Sequence, residues 1–346
     1  MKLSIIVICW NDLKVIANCL KSIYDQTNQF DFEVIVSDNG STDGSVEFIR
    51  KSFPEVRVVE NRANLGFAKG NNAGIRVAQG EYILILNPDT VILYRALERL
   101  VAFADRHPES GAFGCRVLNP DGSFQHPARP IPTISGYLVS ALYLRWLGRF
   151  SRAFESDTYV GWEGREERTI GYQMGCCVMF RGEFLKSLGG FDERFFYHFE
   201  ETDLCYRVWK AGSSILFCPD AEITHLGGQS VGRFPIRFAL ETYRSGYRFF
   251  YKHYGVKGLI SIRRINLLGL GLRYCGYKAI RFFKNSEALQ NRLKKDAVAL
   301  KWNFRLDPVE FIRTGEEPNL GYEPLAPAPN MVESIVRSQS TQTFTI

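Results

Sequence analysis

Short apolar runs alternate with helix-like segments over the first ninety residues of the chain. Residues 3–8 (LSIIVI) are mostly apolar, and a helical pattern follows to about Tyr24. The alternation repeats through FEVIVSD (Phe32 to Asp38), VRVVEN and EYILILNPD, with a predicted helix in NNAGIRVAQ. Strands that are apolar on both faces and alternate with helices are typical of βαβ units. The sequence therefore predicts an α/β fold with a mostly parallel central sheet.

Polar residues stand close to the carboxyl ends of these predicted strands. They are Asn11, Asp38, Asn61 and Asp89. Open sheets of this kind bind ligands beyond the carboxyl ends of their strands. We therefore expect these side chains to border one binding site.

The pattern is less regular after residue 111. GAFGCRVLNPDGSFQ predicts a strand, a turn and a second strand, and residues 127–170 indicate a mobile, irregular loop region. A buried strand with a short helix, a helix from Glu200 that Gly212 ends, and a short strand to His225 are expected next. The chain is predicted to be helical from Ile236 and disordered near its end. We expect a catalytic domain at 1–230, a basic helical extension at 231–320 and a disordered tail at 321–346.

The positive charge is concentrated in the helical extension. The chain of 346 residues carries a net charge of +6, but residues 231–301 hold 16 Lys and Arg against three acidic residues. Arg244, Arg248 and Lys252 share one predicted helical stripe beside a row of tyrosines. Such a segment suggests nucleic acid or an anionic membrane as partner. No RNA-binding signature is present, so no nucleic-acid partner is expected, and an interfacial helix is favoured.

The cysteines and the N-terminus indicate a cytoplasmic protein. The eight cysteines contain no CxxC pair, so they indicate reduced thiols and neither a zinc site nor a disulfide framework. MKLSIIVICW has too short an apolar core for a signal peptide and reads as a first strand.

Two motifs have both a structural and a functional interpretation. In VSDNGSTDGS, Ser41 or Asp43 can cap a helix, while Asp38 can accept hydrogen bonds from a base or a ribose. Asn87-Pro88-Asp89 can be a turn, or it can direct Asn87 and Asp89 to one side of the sheet edge. An oxygen-lined site there suits Mg²⁺ or Mn²⁺.

Two further groups carry candidate chemistry. Glu200, Glu201 and Asp203 begin a helix, where carboxylates interact well with the helix dipole, and one of the glutamates can be a general base. Asp203 is expected to pair with Arg207 one turn later. His225 is either a structural histidine or a neutral ligand to the same metal as Asp89.

Six motifs together resemble the family-2 glycosyltransferases with the GT-A fold, in particular the bacterial rhamnosyltransferase-like subgroup. They are SIIVICWND, VSDNGSTDGS, NLGFAKGNNAGI, LNPD, GGFDERFFYHFEETDLCYR and HLGGQS, in family order over residues 3–230. The resemblance implies the GT-A nucleotide-diphospho-sugar transferase fold, followed here by the basic helical extension.

The resemblance also implies a role for individual residues. Asp38 holds the pyrimidine base of the donor, beside the backbone of Cys9, Trp10 and Asn11. Asn64, Gly66, Lys69 and Asn71 lie along the nucleotide and diphosphate. Asn87-Pro88-Asp89 stands where the family has Asp-x-Asp, so that Asp89, with Asn87 and His225, holds Mg²⁺ or Mn²⁺. The family base is usually the Asp of a Glu-Asp pair, whereas this chain has Glu201, with Glu200 before it.

The expected activity is an inverting, metal-dependent sugar transfer in cell-surface polysaccharide synthesis. The preferred donor is dTDP-L-rhamnose, and a UDP-hexose or UDP-N-acetylhexosamine is the alternative. The acceptor is a saccharide or a polyprenyl-diphosphate-linked saccharide, bound by loops within residues 125–170. A nucleotide-sugar-binding protein without catalysis is the other hypothesis, which the departures at Asn87 and Glu201 leave open. We expect the protein to lie on the inner face of the cytoplasmic membrane.

Overall fold

The computed structural model describes residues 1–151, 154, 158–227, 234–284 and 286–321. They fall into two compact units. The first comprises Met1–Ile131, Asp157–Glu193 and Glu200–Gln229, and the second comprises Pro132–Ser156, Arg194–Phe199 and Ser230–Ile346. Residues 322–346, almost all of the predicted tail, are outside the described part of the chain.

The first unit is built on a central sheet with a small strand pair beside it. Its strands are β1 (Leu3–Cys9), β2 (Phe32–Asp38), β3 (Arg57–Glu60), β4 (Tyr82–Leu86), β5 (Thr90–Ile92), β6 (Ser110–Leu118), β7 (Ala128–Arg129), β8 (Arg168–Thr169), β9 (Tyr172–Gln173), β10 (Cys177–Arg181) and β11 (Ser214–His225). Its helices are α1 (Leu13–Gln26), α2 (Ser45–Ser52), α3 (Gly66–Ile75), α4 (Ala96–Arg106), α6 (Gly182–Ser187) and α7 (Glu200–Lys210).

The described strands form a nine-stranded sheet of order β3-β2-β1-β4-β10-β6-β11-β5, with β8 beside β11. Strands β1 to β4, β6 and β11 run in one direction, and β10, β5 and β8 run against them. The α/β class with a mostly parallel sheet is thereby confirmed. The antiparallel β10 lies between β4 and β6, where the first, repetitive part of the chain meets the less regular second part.

Both faces of the sheet are buried, as the continuous apolar strands predict. Ile5 and Val7 of β1 belong to one apolar cluster with α1 and α4, while Ile6 belongs to the cluster on the opposite face. All three side chains are completely buried. The predicted first strand is therefore a central strand of the fold.

The second unit is helical. It contains α5 (Ile134–Ala141), a 3₁₀ turn (Arg145–Arg149), α8 (Pro235–Phe283), α9 (Glu287–Arg305) and α10 (Pro308–Thr314). Gly255 interrupts α8 with φ 66° and ψ −165°, a conformation that glycine adopts at little steric cost. In the described part of the chain, no helix is both long enough and apolar enough to cross a membrane.

The predicted stripe of cations on α8 does not lie at the surface for two of its three members. Arg244 and Arg248 are buried, Arg244 pairs with Glu241 and Glu317, and Arg248 also pairs with Glu241. A buried guanidinium requires such carboxylate partners. Part of the positive charge of the extension therefore lies inside the helical unit and is neutralised there.

Three local predictions also need correction. The region 127–170 is not wholly irregular, since it contains α5 and the 3₁₀ turn. The strand that ends at His225 has twelve residues and is not short. The strand expected after the turn at Asn119 is reduced to a single bridge between Leu118 and Phe124. Short polar or proline-containing segments take their structure here from packing partners, which a local pattern does not show.

Candidate active site

The first part of the site lies where β1 and β2 end side by side. Cys9 is the register partner of Asp38, and the N–H of Asn39 donates to the Cys9 carbonyl at 2.8 Å. Asp38 is buried, and its Oδ2 accepts the N–H groups of Gly40 and Ser41 at 2.9 and 3.0 Å. Its Oδ1 is buried and accepts no hydrogen bond from the described residues. That oxygen suits a donor from a bound base or ribose.

The loop after β1 is fastened to the loop after β2. The N–H of Asn11, a residue with φ of 59°, donates to Ser41 Oγ at 2.9 Å. The Asn11 Oδ1 accepts the N–H of Thr42 at 2.7 Å, and the N–H of Trp10 donates to Asp12 Oδ2 at 2.9 Å. Trp10 and Asn11 are therefore held next to Asp38.

Helix α3 begins at Gly66, five residues before the start at Asn71 that the sequence predicted. Asn64 Oδ1 accepts the N–H of Gly66 at 3.0 Å, which shapes the turn into the helix. Lys69 is exposed. Asn71 is completely buried, and its Nδ2 donates to the Phe67 carbonyl at 2.9 Å. Its Oδ1 accepts no hydrogen bond from the described residues.

The Asn-Pro-Asp segment forms a tight link between β4 and β5. The Asn87 N–H donates to the Cys176 carbonyl at 3.0 Å, and its carbonyl accepts the Thr90 hydroxyl at 2.7 Å. Asp89 is buried, and its Oδ2 accepts the N–H of Gly227 at 3.1 Å. The segment is thus a turn, and its hydrogen bonds also fix the positions of Asn87 and Asp89.

His225 meets Asn87 and Asp89 at the end of β11. Its Nε2 lies 3.2 Å from Asp89 Oδ1 and 3.3 Å from Asn87 Nδ2. The antiparallel pairing of β5 with β11 produces this meeting, because Thr90 and His225 are register partners. The structure therefore brings together the three side chains that the sequence assigns to one metal.

These side chains fit a divalent cation that also binds substrate oxygens. Across the described ranges, no group of three or more His, Cys, Asp or Glu side chains could hold a metal ion. Asp89 and His225 supply one carboxylate and one imidazole, and Asn87 adds a neutral amide. Mg²⁺ binds commonly through one or two carboxylates together with phosphate oxygens and water, so an incomplete protein shell is the expected kind of site.

Glu201 lies in the first turn of α7 and is partly buried. Its Oε2 is buried and accepts no hydrogen bond within the described residues. Burial raises the pKa of Glu201, while the main-chain N–H groups of Glu201 and Thr202 lower it. A carboxylate with a raised pKa and an unsatisfied oxygen has the properties of a general base. Glu200 beside it is more deeply buried.

A short segment before β10 contacts both Glu201 and Asn87. A Cβ on Gly175 would lie 2.9 Å from the Phe67 ring and 3.8 Å from Glu201 Cβ, so glycine allows this close packing. The neighbouring Cys176 holds Asn87 through its carbonyl. Burial raises the pKa of the Cys176 thiol, and the charges of Asp89 and Glu201 raise it further. The charges of Asp89 and Glu201 thus both affect the pKa of the buried Cys176 thiol.

The comparison with known families decides the class of protein. The sequence model described as Glycosyl transferase family 2 matches residues 4–189, more than half of the chain. This chain belongs to glycosyl transferase family 2.

Curated relatives of this family-2 glycosyltransferase include N-acetylglucosaminyl-diphospho-decaprenol L-rhamnosyltransferase of Mycobacterium tuberculosis. It is 31% identical over 229 residues, which are 62% of this chain and 73% of the relative. The hexosyltransferase Agl10 of Haloferax volcanii, which acts in low-salt glycan biosynthesis, is 25% identical over 226 residues, 62% of this chain and 67% of the relative.

Solved structures confirm the GT-A fold of the family-2 chain. The mannosyltransferase PcManGT of Pyrobaculum calidifontis, in complex with GDP-mannose and Mn²⁺, aligns with a TM-score of 0.52 at 16% identity. The alignment covers 86% of this chain and 84% of that one. GalNAc-T7 with UDP, GalNAc and Mn²⁺ aligns with a TM-score of 0.55 at 15% identity, over 92% of this chain and 58% of that one.

One residue that contacts the site was not predicted from the sequence. Gln125 follows the Asn-Pro-Asp-Gly turn after β6, and its Oε1 lies 2.7 Å from His225 Nδ1. Its position, 100 residues before His225, gives no local signal. Only the parallel pairing of β6 with β11 brings the two segments together.

Proposed function

We propose that this family-2 enzyme transfers L-rhamnose from dTDP-L-rhamnose to a polyprenyl-diphosphate-linked saccharide, with inversion at the anomeric carbon. The observation behind this proposal is that Asp89, His225 and Asn87 lie together at the edge of the sheet. They provide a position for a cation where the strands end. The sugar and the acceptor class follow the name of the mycobacterial relative.

The chain's own residues account for the steps of a single displacement. Asp38 holds the base through its unpartnered Oδ1. Asp89 lies beside the diphosphate. Glu201 accepts the proton of the acceptor hydroxyl, whose oxygen forms a bond to the anomeric carbon. The bond from that carbon to the diphosphate oxygen breaks, and the electron pair leaves with the nucleoside diphosphate. A bound Mg²⁺ or Mn²⁺ would supply positive charge beside that leaving group.

Substitution of Glu201 separates this activity from the alternative of a non-catalytic nucleotide-sugar-binding protein. In Glu201→Gln, transfer should fall by about 10² to 10⁴-fold, because the general base is lost, while donor affinity stays near the wild-type value. The measurements are product formation and donor titration by calorimetry. Glu183→Gln is the matched control, since that side chain is 97% exposed on α6. Transfer at the wild-type rate in Glu201→Gln would show that another group is the base.

A panel of nucleotide sugars tests the donor. Release of dTDP from dTDP-L-rhamnose, with little release from UDP-hexoses or UDP-N-acetylhexosamines, is the expected result. Asp38 can accept from either pyrimidine, so the base alone does not exclude a UDP-sugar. Turnover of a UDP-sugar alone would replace the proposed donor and leave the chemistry in place.

We also place the enzyme at an anionic membrane surface on the cytoplasmic side. The end of α8 exposes Phe282 and Phe283 at 90% and 93%, with exposed Arg281 and Lys284 next to them. Such exposed apolar side chains beside cations are typical of helices that lie in a membrane interface. An acceptor on a polyprenyl diphosphate would be presented at that surface.

A second exposed apolar segment follows α5, whose end packs against α8 within the helical unit. A Cβ on Gly269 would lie 3.0 Å from Ala141 Cβ, so glycine lets the end of α5 approach α8 closely. The residues after that contact expose Tyr143, Trp146 and Phe150 at 54%, 60% and 74%. Two elements of one unit thus contribute to the proposed membrane surface.

A further inference from the structure

Gln125 makes three hydrogen bonds that together fix the orientation of its amide. Its Oε1 lies 2.7 Å from His225 Nδ1, and its Nε2 lies 2.8 Å from Asn119 Oδ1 and 3.2 Å from the carbonyl oxygen of His225. Its main chain is also fixed, because its N–H donates to the Val117 carbonyl at 2.9 Å. The side chain is therefore held at both ends.

The main-chain carbonyl of His225 determines which end of the amide faces the imidazole. A carbonyl oxygen only accepts hydrogen bonds, so the NH₂ group of Gln125 must be the end that faces it. The Oε1 is then the atom next to His225 Nδ1. Since that oxygen is also only an acceptor, Nδ1 must carry the hydrogen.

This hydrogen bond has a consequence at the other ring nitrogen. A neutral imidazole that carries its hydrogen on Nδ1 has a lone pair on Nε2. That lone pair faces Asp89 Oδ1 at 3.2 Å and Asn87 Nδ2 at 3.3 Å. Nε2 and the carboxylate oxygen are then two acceptors that stand side by side. Asn87 Nδ2 can donate to Nε2, and a cation between the two acceptors would take the place of that contact.

We propose that Gln125 is a positioning residue, which holds His225 in the Nδ1–H tautomer so that its Nε2 lone pair is available to the divalent cation. A partner on the second ring nitrogen commonly fixes the tautomer and the ring orientation of a metal-binding histidine. The proposal rests on the metal site of the proposed function for the identity of the ligand, but the tautomer can be observed without any metal.

The turn before Gln125 explains how the side chain reaches its place. The N–H of Asn119 donates to the Ser123 carbonyl at 2.8 Å, and Gly122, with φ of 81°, closes the turn through its N–H to the Asn119 carbonyl at 2.9 Å. The turn places Asn119 Oδ1 within reach of Gln125. The Asn-Pro-Asp-Gly turn thus acts as a support for the site.

The first measurement is the tautomer of His225 in the metal-free protein. The chain has five histidines, so ¹⁵N-histidine labelling gives few signals, and the loss of one set in His225→Gln assigns them. The ring of His225 is expected to carry its hydrogen on Nδ1 and none on Nε2. A wild-type ring with its hydrogen on Nε2 would overturn the proposal, even if every variant failed to fold.

The second measurement compares Gln125→Met with the control Gln79→Met. Methionine keeps the approximate length of glutamine and loses the acceptor, and Gln79 is an exposed glutamine between α3 and β4. We expect Gln125→Met to shift His225 toward the Nε2–H tautomer and to weaken Mn²⁺ binding about 10 to 100-fold, with both properties unchanged in Gln79→Met. The Mn²⁺ affinity is measured by electron paramagnetic resonance with dTDP present.

Wild-type tautomer and wild-type Mn²⁺ affinity in Gln125→Met would contradict a positioning role. A wild-type protein that binds no Mn²⁺ even with dTDP present, while His225 is an Nδ1–H tautomer, would contradict the metal site of the proposed function instead. The two failures are therefore distinguishable.

Discussion

The Oδ1 atom of Asp89 lies 3.2 Å from Nε2 of His225, although the two residues belong to distant parts of the sequence. Main-chain pairing produces this proximity. The N–H of Leu226 donates to the Asp89 carbonyl at 3.0 Å, and the adjacent residues His225 and Thr90 are register partners in the paired strands β11 and β5. The relative position of Asp89 and His225 is therefore set by main-chain pairing at the edge of the sheet.

Substitution of Asp89 should remove the response of the enzyme to divalent cations. In Asp89→Asn the carboxylate charge is lost while the size is kept, so the diphosphate loses part of its counter-charge. We expect activity with Mg²⁺ or Mn²⁺ to fall by about 10²-fold or more and donor binding to weaken. Initial rates over a metal titration measure the effect, and Asp220→Asn, at an exposed position, is the control. Full wild-type activity in EDTA would show that the metal assignment is wrong.

Asp38 should contribute to donor binding more than to the rate of the chemical step. Its contact with the base is remote from the reacting carbon, so the interaction is the same in the ground state and the transition state. We expect Asp38→Asn to raise the donor KM several-fold with a smaller change in kcat. Steady-state kinetics with varied donor concentration give both values. A large loss of kcat at unchanged KM would assign Asp38 to another role.

The buried carboxylate of Glu201 should lower the stability of the wild-type protein at neutral pH. Burial raises its pKa in the folded state above the ~4.3 of the unfolded chain, so the folded state binds more protons between the two values. Stability therefore falls as pH rises from about 4.3 through the folded pKa, and stays at the lower level above it.

Glu201→Gln removes this dependence, so the variant should have a higher Tm than the wild type at neutral pH, and the difference should vanish below about pH 4.3. Thermal unfolding followed by circular dichroism between pH 4 and pH 8 measures it. Glu183→Gln, in which an exposed glutamate changes, should show no such trend. A variant that is less stable than the wild type at every pH would contradict the desolvation of Glu201.

The sequence predicted the elements whose pattern is local and missed those that depend on distant partners. The strand Phe32–Asp38 was predicted from its run of apolar residues. The helix Glu200–Lys210 was predicted from the cluster of acidic residues at its start. The predicted pair of Asp203 and Arg207 is confirmed at 2.9 Å. Gln125 was not predicted, because its role depends on the pairing of β6 with β11.

Charge counting along the chain was the least accurate guide to the surface. The sum over residues 231–301 treats all cations alike, but Arg244 and Arg248 are buried ion-pair partners. Arg273 is paired with Asp296 at 2.6 Å, and Arg263 donates to the carbonyls of Asn303 and Phe304. A sequence does not reveal which cations are neutralised by packing.

The proposed membrane surface can be tested with exposed cations of α8. Three of them are Arg264, Lys278 and Arg281. Each cation near an anionic surface contributes about 1 kcal/mol, so reversal of all three should reduce binding to anionic vesicles by at least about 100-fold. Liposome co-sedimentation measures the bound fraction, and the wild-type value should fall as salt is added.

A matched control reverses three exposed cations of the sheet-containing unit, Lys14, Lys51 and Arg62, and should leave vesicle binding unchanged. Phe282→Ser with Phe283→Ser should weaken the salt-resistant part of binding, since those apolar side chains are proposed to enter the interface. Equal binding to neutral and anionic vesicles at every salt concentration would remove the electrostatic basis of the proposal.

The central claim is that this chain adds a sugar to a lipid-linked acceptor at the edge where Asp89, His225 and Glu201 lie. The most direct measurement is mass spectrometry of an N-acetylglucosaminyl-diphospho-polyprenol after incubation with the enzyme, dTDP-L-rhamnose and Mn²⁺. We predict that the acceptor gains one deoxyhexose, that the new linkage has the inverted anomeric configuration by NMR, and that EDTA prevents the reaction. An acceptor of unchanged mass with every donor of the panel, under conditions in which the enzyme is folded and binds the donor, would contradict the account.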